Sequence, residues 1–155
     1  MEITNQHSCP FCNPDNTKVV IANDHAIAMN DGYPVTPGHT LILPKRHIAS
    51  FFEATREEQA AMFELLAEMR ERLKSLPTSL SEREETNHHQ SRSEKVESFS
   101  VPDGFNIGIN DGAAAGQTVM HLHIHLIPRY SGDTEDPRGG VRWIMPEKAP
   151  YWKKQ

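Results

Sequence analysis

Residues 116–129 read Gly-Gln-Thr-Val-Met-His-Leu-His-Ile-His-Leu-Ile-Pro-Arg, so that His121, His123 and His125 alternate with Leu122, Ile124 and Leu126. A period of two is the pattern of a β-strand with one buried and one polar face. The stretch 119–128 therefore predicts a strand that sends its aliphatic side chains to a core and three imidazoles to the opposite face. Three imidazoles in register point to chemistry, because a neutral imidazole near physiological pH is a nucleophile, a proton carrier or a metal ligand. Spacing alone leaves two options open: nucleophilic catalysis, or a catalytic zinc with a free coordination position.

Working outward, FNIGIN at 105–110 predicts a strand and DGAAAGQ at 111–117 a turn-rich connection. Earlier in the chain, VVIA at 19–22 and DHAIAM at 24–29 predict a hairpin joined at Asn23 and Asp24. PVTPGH at 34–39 reads as loop, and TLILP at 40–44 is a continuous apolar run suited to a central strand that Pro44 ends. From Thr55 the period changes. Met62, Leu65, Leu66, Met69, Leu73 and Leu76 recur at helical spacing, Thr55 and Glu58 form a capping box, and Pro77 stops the element. Strands, one long helix and then strands again predict an α+β fold with an antiparallel sheet of about five strands.

The 155 residues are the size of one domain, and residues 1–155 are expected to form a single one. Between about 78 and 101 the chain is rich in Ser, Glu, Arg, Asn and His and poor in apolar residues, which predicts a flexible polar insertion. His88 and His89 within it read as part of a solvated loop. A formal net charge of -5 supplies no diffuse basic field, so no nucleic-acid partner is expected and phosphate must be held by local groups. No apolar run approaches the roughly 20 residues that span a bilayer, and the start MEITNQHS is polar, so no membrane partner and a cytoplasmic location are expected. The two cysteines, Cys9 and Cys12, stand in CPFC. In a reducing compartment that spacing suits metal or thiol redox chemistry, and two thiolates need histidines to complete a tetrahedral zinc site.

The run His-φ-His-φ-His-φ-φ at 121–127, with φ apolar, resembles the signature of the histidine-triad (HIT) family. The resemblance extends to PVTPGHTLILPKRH at 34–47 and FNIGINDGAAAGQ at 105–117, and so covers most of the chain outside the insertion, which is longer than the link usual in the family. It implies a HIT-like fold with a short C-terminal segment. It also implies a hydrolase or transferase that attacks the α-phosphate of a nucleotide, dinucleoside polyphosphates such as diadenosine tetraphosphate being the favoured substrates and nucleoside phosphoramidates the alternative.

Carried onto this sequence, the resemblance makes His123 the nucleophile of a nucleotidyl-histidine intermediate. It makes His125 a donor to phosphate oxygens and His39 the histidine that approaches the triad from the next strand. Gln117 is placed near the scissile bridge, Asn110 on phosphate and ribose oxygens, Asp31 on the ribose hydroxyls and Ile27 at the base pocket. The bacterial zinc-containing members further imply a structural zinc held by Cys9, Cys12, His47 and His121. No organic cofactor is implied. Family members are usually homodimers, which makes Trp143 and Trp152 candidates for an interface or ligand contacts, and Arg129, Arg138 and Arg142 candidates for phosphate. CPFC also resembles the glutaredoxin active site. A redox motif of that kind should follow a strand and open a helix, and here polar residues precede it and NPDN follows. A non-catalytic nucleotide-binding protein is the remaining alternative.

Overall fold

The computed structural model describes residues 9–75 and 100–153. Strands β1 (Val19–Ala22) and β2 (Ala26–Asn30) form the expected hairpin, and β3 (Thr40–Pro44) pairs with β2 through Ala28↔Ile42 and its neighbours. After helix α1 (Arg56–Ser75) come β4 (Gly104–Ile109) and β5 (Ile124–Arg129). The sheet order is β1-β2-β3-β5-β4 with every neighbouring pair antiparallel. The last strand thus enters between β3 and β4 and stands in the interior of the sheet. Among the described residues the fold is α+β with five antiparallel strands and one long helix, as the sequence predicts. No described helix is long and apolar enough to cross a membrane.

Alternation along the strands divides the sheet into two faces. Ala26, Ala28, Ile42, Ile124 and Leu126 meet Met62, Leu65, Leu66, Met69 and Leu73 of α1 in one buried cluster. These helical positions are the ones the apolar spacing selects. At the N-terminus of α1, the Glu58 amide donates to Thr55 Oγ1 (3.2 Å) and the Thr55 amide to Glu58 Oε2 (2.8 Å), the expected capping box. The Glu58 carboxylate also takes a two-point contact from Arg46 at 2.8 Å on each oxygen. The intervening strand positions Ile27, Met29, Leu41 and Leu43 form a smaller cluster on the other face, with Phe11 and Val19 packed on it.

One expectation needs correction. The triad strand does not begin at Val119: β5 starts at Ile124, and His121, Leu122 and His123 form the irregular segment leading into it. The β3–β5 ladder runs from Thr40↔Leu126 to Ile42↔Ile124. Continued, it would bring Pro44 opposite Leu122, where proline has no N–H to donate and its carbonyl oxygen already accepts from His121 Nε2 at 2.8 Å. The Leu122 amide donates instead to the carbonyl of Ile48 at 2.6 Å. The in-and-out alternation survives outside the strand, since Leu122 still joins the helix-side core. β3 ends at Pro44, as the sequence predicts, while β5 runs one residue beyond Pro128 to Arg129. The insertion expected at about 78–101, with His88 and His89, lies outside the described residues except for Ser100 and Val101, and so does the helix stop at Leu76 and Pro77.

Candidate active site and the Cys/His cluster

His39, His121, His123 and His125 gather on the sheet face away from α1. His39, immediately before β3, is tied by the β3–β5 register to the end of β5, and its Nε2 lies 3.0 Å from His125 Nδ1. The ring of His125 lies edge-on to that of His123, centroids 4.9 Å apart. Phe11, from the CPFC turn, sets its ring edge-on against both His123 (5.2 Å) and His121 (6.0 Å). His39, His121 and His123 are buried and His125 is half-buried.

Backbone groups decide which ring nitrogen carries each proton. A carbonyl oxygen only accepts, so His123 Nδ1, 2.8 Å from the carbonyl of His121, is a donor, and the neutral ring keeps its lone pair on Nε2. By the same argument His121 donates through Nε2 to the carbonyl of Pro44 (2.8 Å) and keeps its lone pair on Nδ1. That lone pair faces Cys9 Sγ at 3.6 Å and Cys12 Sγ at 3.7 Å, while His47 Nδ1 lies 3.1 Å from Cys12 Sγ. The four donor atoms of Cys9, Cys12, His47 and His121 all lie within 4.8 Å of one another. Tetrahedral zinc with the usual zinc–sulfur and zinc–nitrogen lengths places its sulfur and nitrogen ligands about 3.5 Å apart. The donor set and its spacing fit that ion.

Burial pushes His125 down from the ordinary histidine range to about 4, with the neighbouring His123 and His39 adding to the effect and Asp31 opposing it. His39 is lowered as well, again chiefly by burial, against the opposing carboxylate of Asp31. Both rings are therefore neutral at pH 7.

The polar residues expected around the triad take definite places. Asp31 follows β2; its Oδ1 accepts from the Tyr33 amide (2.8 Å) and its Oδ2 lies 3.3 Å from His39 Nε2. Gln117 is buried with both ends of its amide engaged: Oε1 accepts from the Gly112 amide and Nε2 donates to the carbonyl of Ala49, each at 2.8 Å. Asn110 is half-buried just beyond β4, and the Gly108↔His125 register extended by two residues brings it opposite His123. Ile27 belongs to the apolar cluster beneath the histidines. The three arginines are held by protein groups. Arg129 forms a two-point pair with Asp133 and donates to Asn106, Arg138 pairs with Asp136 over the ring of Trp152, and Arg142 donates to the carbonyl of Lys148 over the ring of Tyr151. Trp143 is 44 % exposed, and Trp152 has a buried indole N–H.

Sequence reasoning did not single out Phe11, Val35 or Asp111. Phe11 carries no chemistry of its own, and Val35 acts through its backbone amide, which donates to His39 Nδ1 at 3.3 Å. Asp111 Oδ2 accepts from Ser50 Oγ (3.0 Å) and the Phe51 amide (2.8 Å), fastening the loop after β4 to the turn before α1. The signal available there was Ser50-Phe-Phe-Glu53, a second capping box that the structure forms.

CPFC lies in a turn, closed by the Cys12 amide on the carbonyl of Cys9 at 3.2 Å, and the next regular element is β1 rather than a helix. Burial, with Cys9 beside it, pushes the Cys12 thiol up. The lack of a helix opening at the motif opposes a thiol-redox site, whose attacking thiolate is stabilised at a helix N-terminus.

The HIT domain profile matches residues 14–132. The chain belongs to the HIT family. An uncharacterised HIT-like protein of Methanocaldococcus jannaschii is 34% identical over 131 residues, covering 82% of this chain and 83% of that one. The Arabidopsis thaliana bifunctional bis(5'-adenosyl)-triphosphatase/adenylylsulfatase FHIT is 31% identical over 121 residues, 78% of this chain and 54% of its own. Among solved structures, a zinc-bound histidine triad family protein from Mycobacterium smegmatis superposes with a TM-score of 0.55 at 29% identity, covering 84% of this chain and 81% of that chain. Within the HIT fold of this chain, the triad histidines divide into two groups. His121 turns its ring toward the cysteines, while His123 and His125 remain together with His39.

Proposed function

We propose that this HIT protein is a nucleotide hydrolase or transferase that cleaves dinucleoside polyphosphates at the α-phosphate through a nucleotidyl-His123 intermediate. The observation that carries this reading is the hydrogen bond from His123 Nδ1 to the carbonyl of His121, which in the buried ring puts the proton on Nδ1 and leaves Nε2 as the nitrogen to react. Nε2 attacks phosphorus, and the bond from phosphorus to the bridging oxygen breaks, releasing the other nucleotide with that oxygen. Water then attacks the same phosphorus, the phosphorus–nitrogen bond breaks, and the mononucleotide leaves as the ring regains its lone pair. Splitting one displacement into two lowers each barrier. His125, neutral and held through Nδ1, turns its Nε2–H to the phosphoryl oxygens and stabilises charge as it develops. The bis(5'-adenosyl)-triphosphatase and adenylylsulfatase activities named for the Arabidopsis relative support an anhydride at the α-phosphate as the substrate.

In this reading Ile27 lines the base site, Asp31 and Asn110 serve the ribose and phosphate oxygens, and Gln117 holds the loop that flanks the scissile bridge. Cys9, Cys12, His47 and His121 hold a structural zinc, which joins the N-terminal turn to the triad and leaves no water-activating position. The zinc-bound mycobacterial neighbour supports that ion. The chain acts as one domain, as a homodimer and in the cytoplasm.

The test is incubation of wild type and His123→Ala with α-labelled diadenosine polyphosphate, followed by an alkaline quench. Label on wild type alone is the expected result. No label and no hydrolysis, across polyphosphates and phosphoramidates alike, would overturn the proposal and leave the triad as a binding site.

A further inference from the structure

Asp31, His39 and His125 bring one carboxylate oxygen and two imidazole nitrogens within 4.8 Å of one another. Two histidines and a carboxylate are a familiar ligand set for a divalent transition metal. The proton positions oppose that use. The Val35 amide donates to His39 Nδ1 at 3.3 Å, and a nitrogen that accepts from an amide carries no proton. In the neutral ring the proton of His39 therefore sits on Nε2, the atom that faces both His125 Nδ1 (3.0 Å) and Asp31 Oδ2 (3.3 Å). A metal ion there would have to displace this proton, either leaving an imidazolate or moving the proton to Nδ1 and breaking the bond from the Val35 amide.

The same arrangement does something else. With its proton on Nε2, His39 is a donor to His125 Nδ1, so His125 must carry its own proton on Nε2. We propose that Asp31 is a positioning residue which, through His39, holds His125 in the Nε2–H tautomer that donates to the phosphoryl group. This rests on the reading of His125 as a phosphate donor and adds to Asp31 a role that its place near the ribose does not require. Asp31 is itself aimed by the Tyr33 amide, which occupies Oδ1 and leaves Oδ2 for His39. The carboxylate favours the proton on His39 Nε2 by lying beside that atom. Its negative charge also balances the polarisation of His125 as charge builds on phosphate.

Two measurements test this. Two-bond nitrogen–proton correlation spectra of uniformly 15N-labelled protein report which nitrogen of each neutral imidazole is protonated, and require no substrate. Wild type should show His125 protonated on Nε2, and Asp31→Asn should shift it toward a tautomer mixture. A wild-type His125 protonated on Nδ1, or a tautomer unmoved in the variant, would overturn the proposal. In the second, a dinucleoside triphosphate is compared with its analogue lacking the 2′ and 3′ hydroxyls. Asp31→Asn should lower kcat about ten- to hundredfold, the range for losing a charge-assisted hydrogen bond, with both substrates alike. A loss confined to KM and to the ribose-containing substrate would make Asp31 a ribose ligand only. If wild type turns over neither compound, the catalytic reading fails while the spectra still decide the tautomer.

Discussion

His123 Nδ1 lies 2.8 Å from the carbonyl oxygen of His121, so one triad histidine orients the next through its backbone while its own ring serves another site. The ring of His121 is held between the Pro44 carbonyl and the two cysteines. The proposed nucleophile and the Cys/His cluster are therefore joined across two residues of chain, and disturbing the cluster should misalign His123 without touching it.

Removal of the proposed zinc makes that coupling measurable. Purified protein is expected to carry one zinc per chain by atomic spectroscopy, and Cys12→Ser to lose it. Without the ion the N-terminal turn and Phe11 lose their anchor, and Tm should fall on the order of 5–10 °C. Turnover should fall together with metal content. Full activity in a zinc-free Cys12→Ser protein would separate the two sites.

The depressed value of His125 sets a pH dependence. With the folded group at about 4 against an ordinary 6.5, the unfolded chain binds the extra proton first as pH falls. The stabilising contribution of the neutral buried ring is complete above pH 6.5 and is lost as pH falls from there toward 4. Thermal melts of wild type and His125→Asn across that window should show the steeper decline in wild type. Parallel curves would mean that this ring does not titrate as its surroundings dictate.

Gly38 stands where the backbone adopts φ of +83°, and a Cβ there would approach Leu73 Cδ2 to 2.9 Å and Pro128 Cγ to 3.2 Å. Gly38→Ala is expected to destabilise the fold by about 1–3 kcal/mol through left-handed strain and crowding against α1. Denaturant unfolding reads this directly. Because His39 is the next residue, kcat should fall as well.

Gln117→Ala removes the contacts to the Gly112 amide and the Ala49 carbonyl together. Stranding those backbone groups should cost about 1–3 kcal/mol in chemical denaturation. Gln117→Glu keeps an acceptor for Gly112 but has no donor for Ala49, so it should fall between wild type and alanine. Equal stability of all three proteins would show that the loop is held by its other contacts, including Asp111 on Ser50 and Phe51.

Much of the fold was legible because burial imposes local periods. The alternation at 121–126 predicted which residues join the core, and the helical spacing of Met62, Leu65, Leu66, Met69 and Leu73 predicted the face of α1. The point where β5 begins was not legible, since it depends on Pro44, a proline brought opposite Leu122 by a strand pairing distant in sequence. Gln117 was legible as a polar residue beside the triad. Its engagement by Gly112 and Ala49 was not, because Ala49 reaches it only when the turn before α1 packs against the loop after β4.

By itself, the sequence determined the elements, the sidedness of the sheet and the residue types gathered on one face, because these follow from periodicity and side-chain chemistry. Tertiary structure alone decided what each imidazole can do. The protons of His39, His121 and His123 are placed by the Val35 amide and the carbonyls of Pro44 and His121, and that of His125 by His39. A histidine has two nearly equivalent nitrogens, and which one is free to react is set by whichever partner the folded backbone brings to the other.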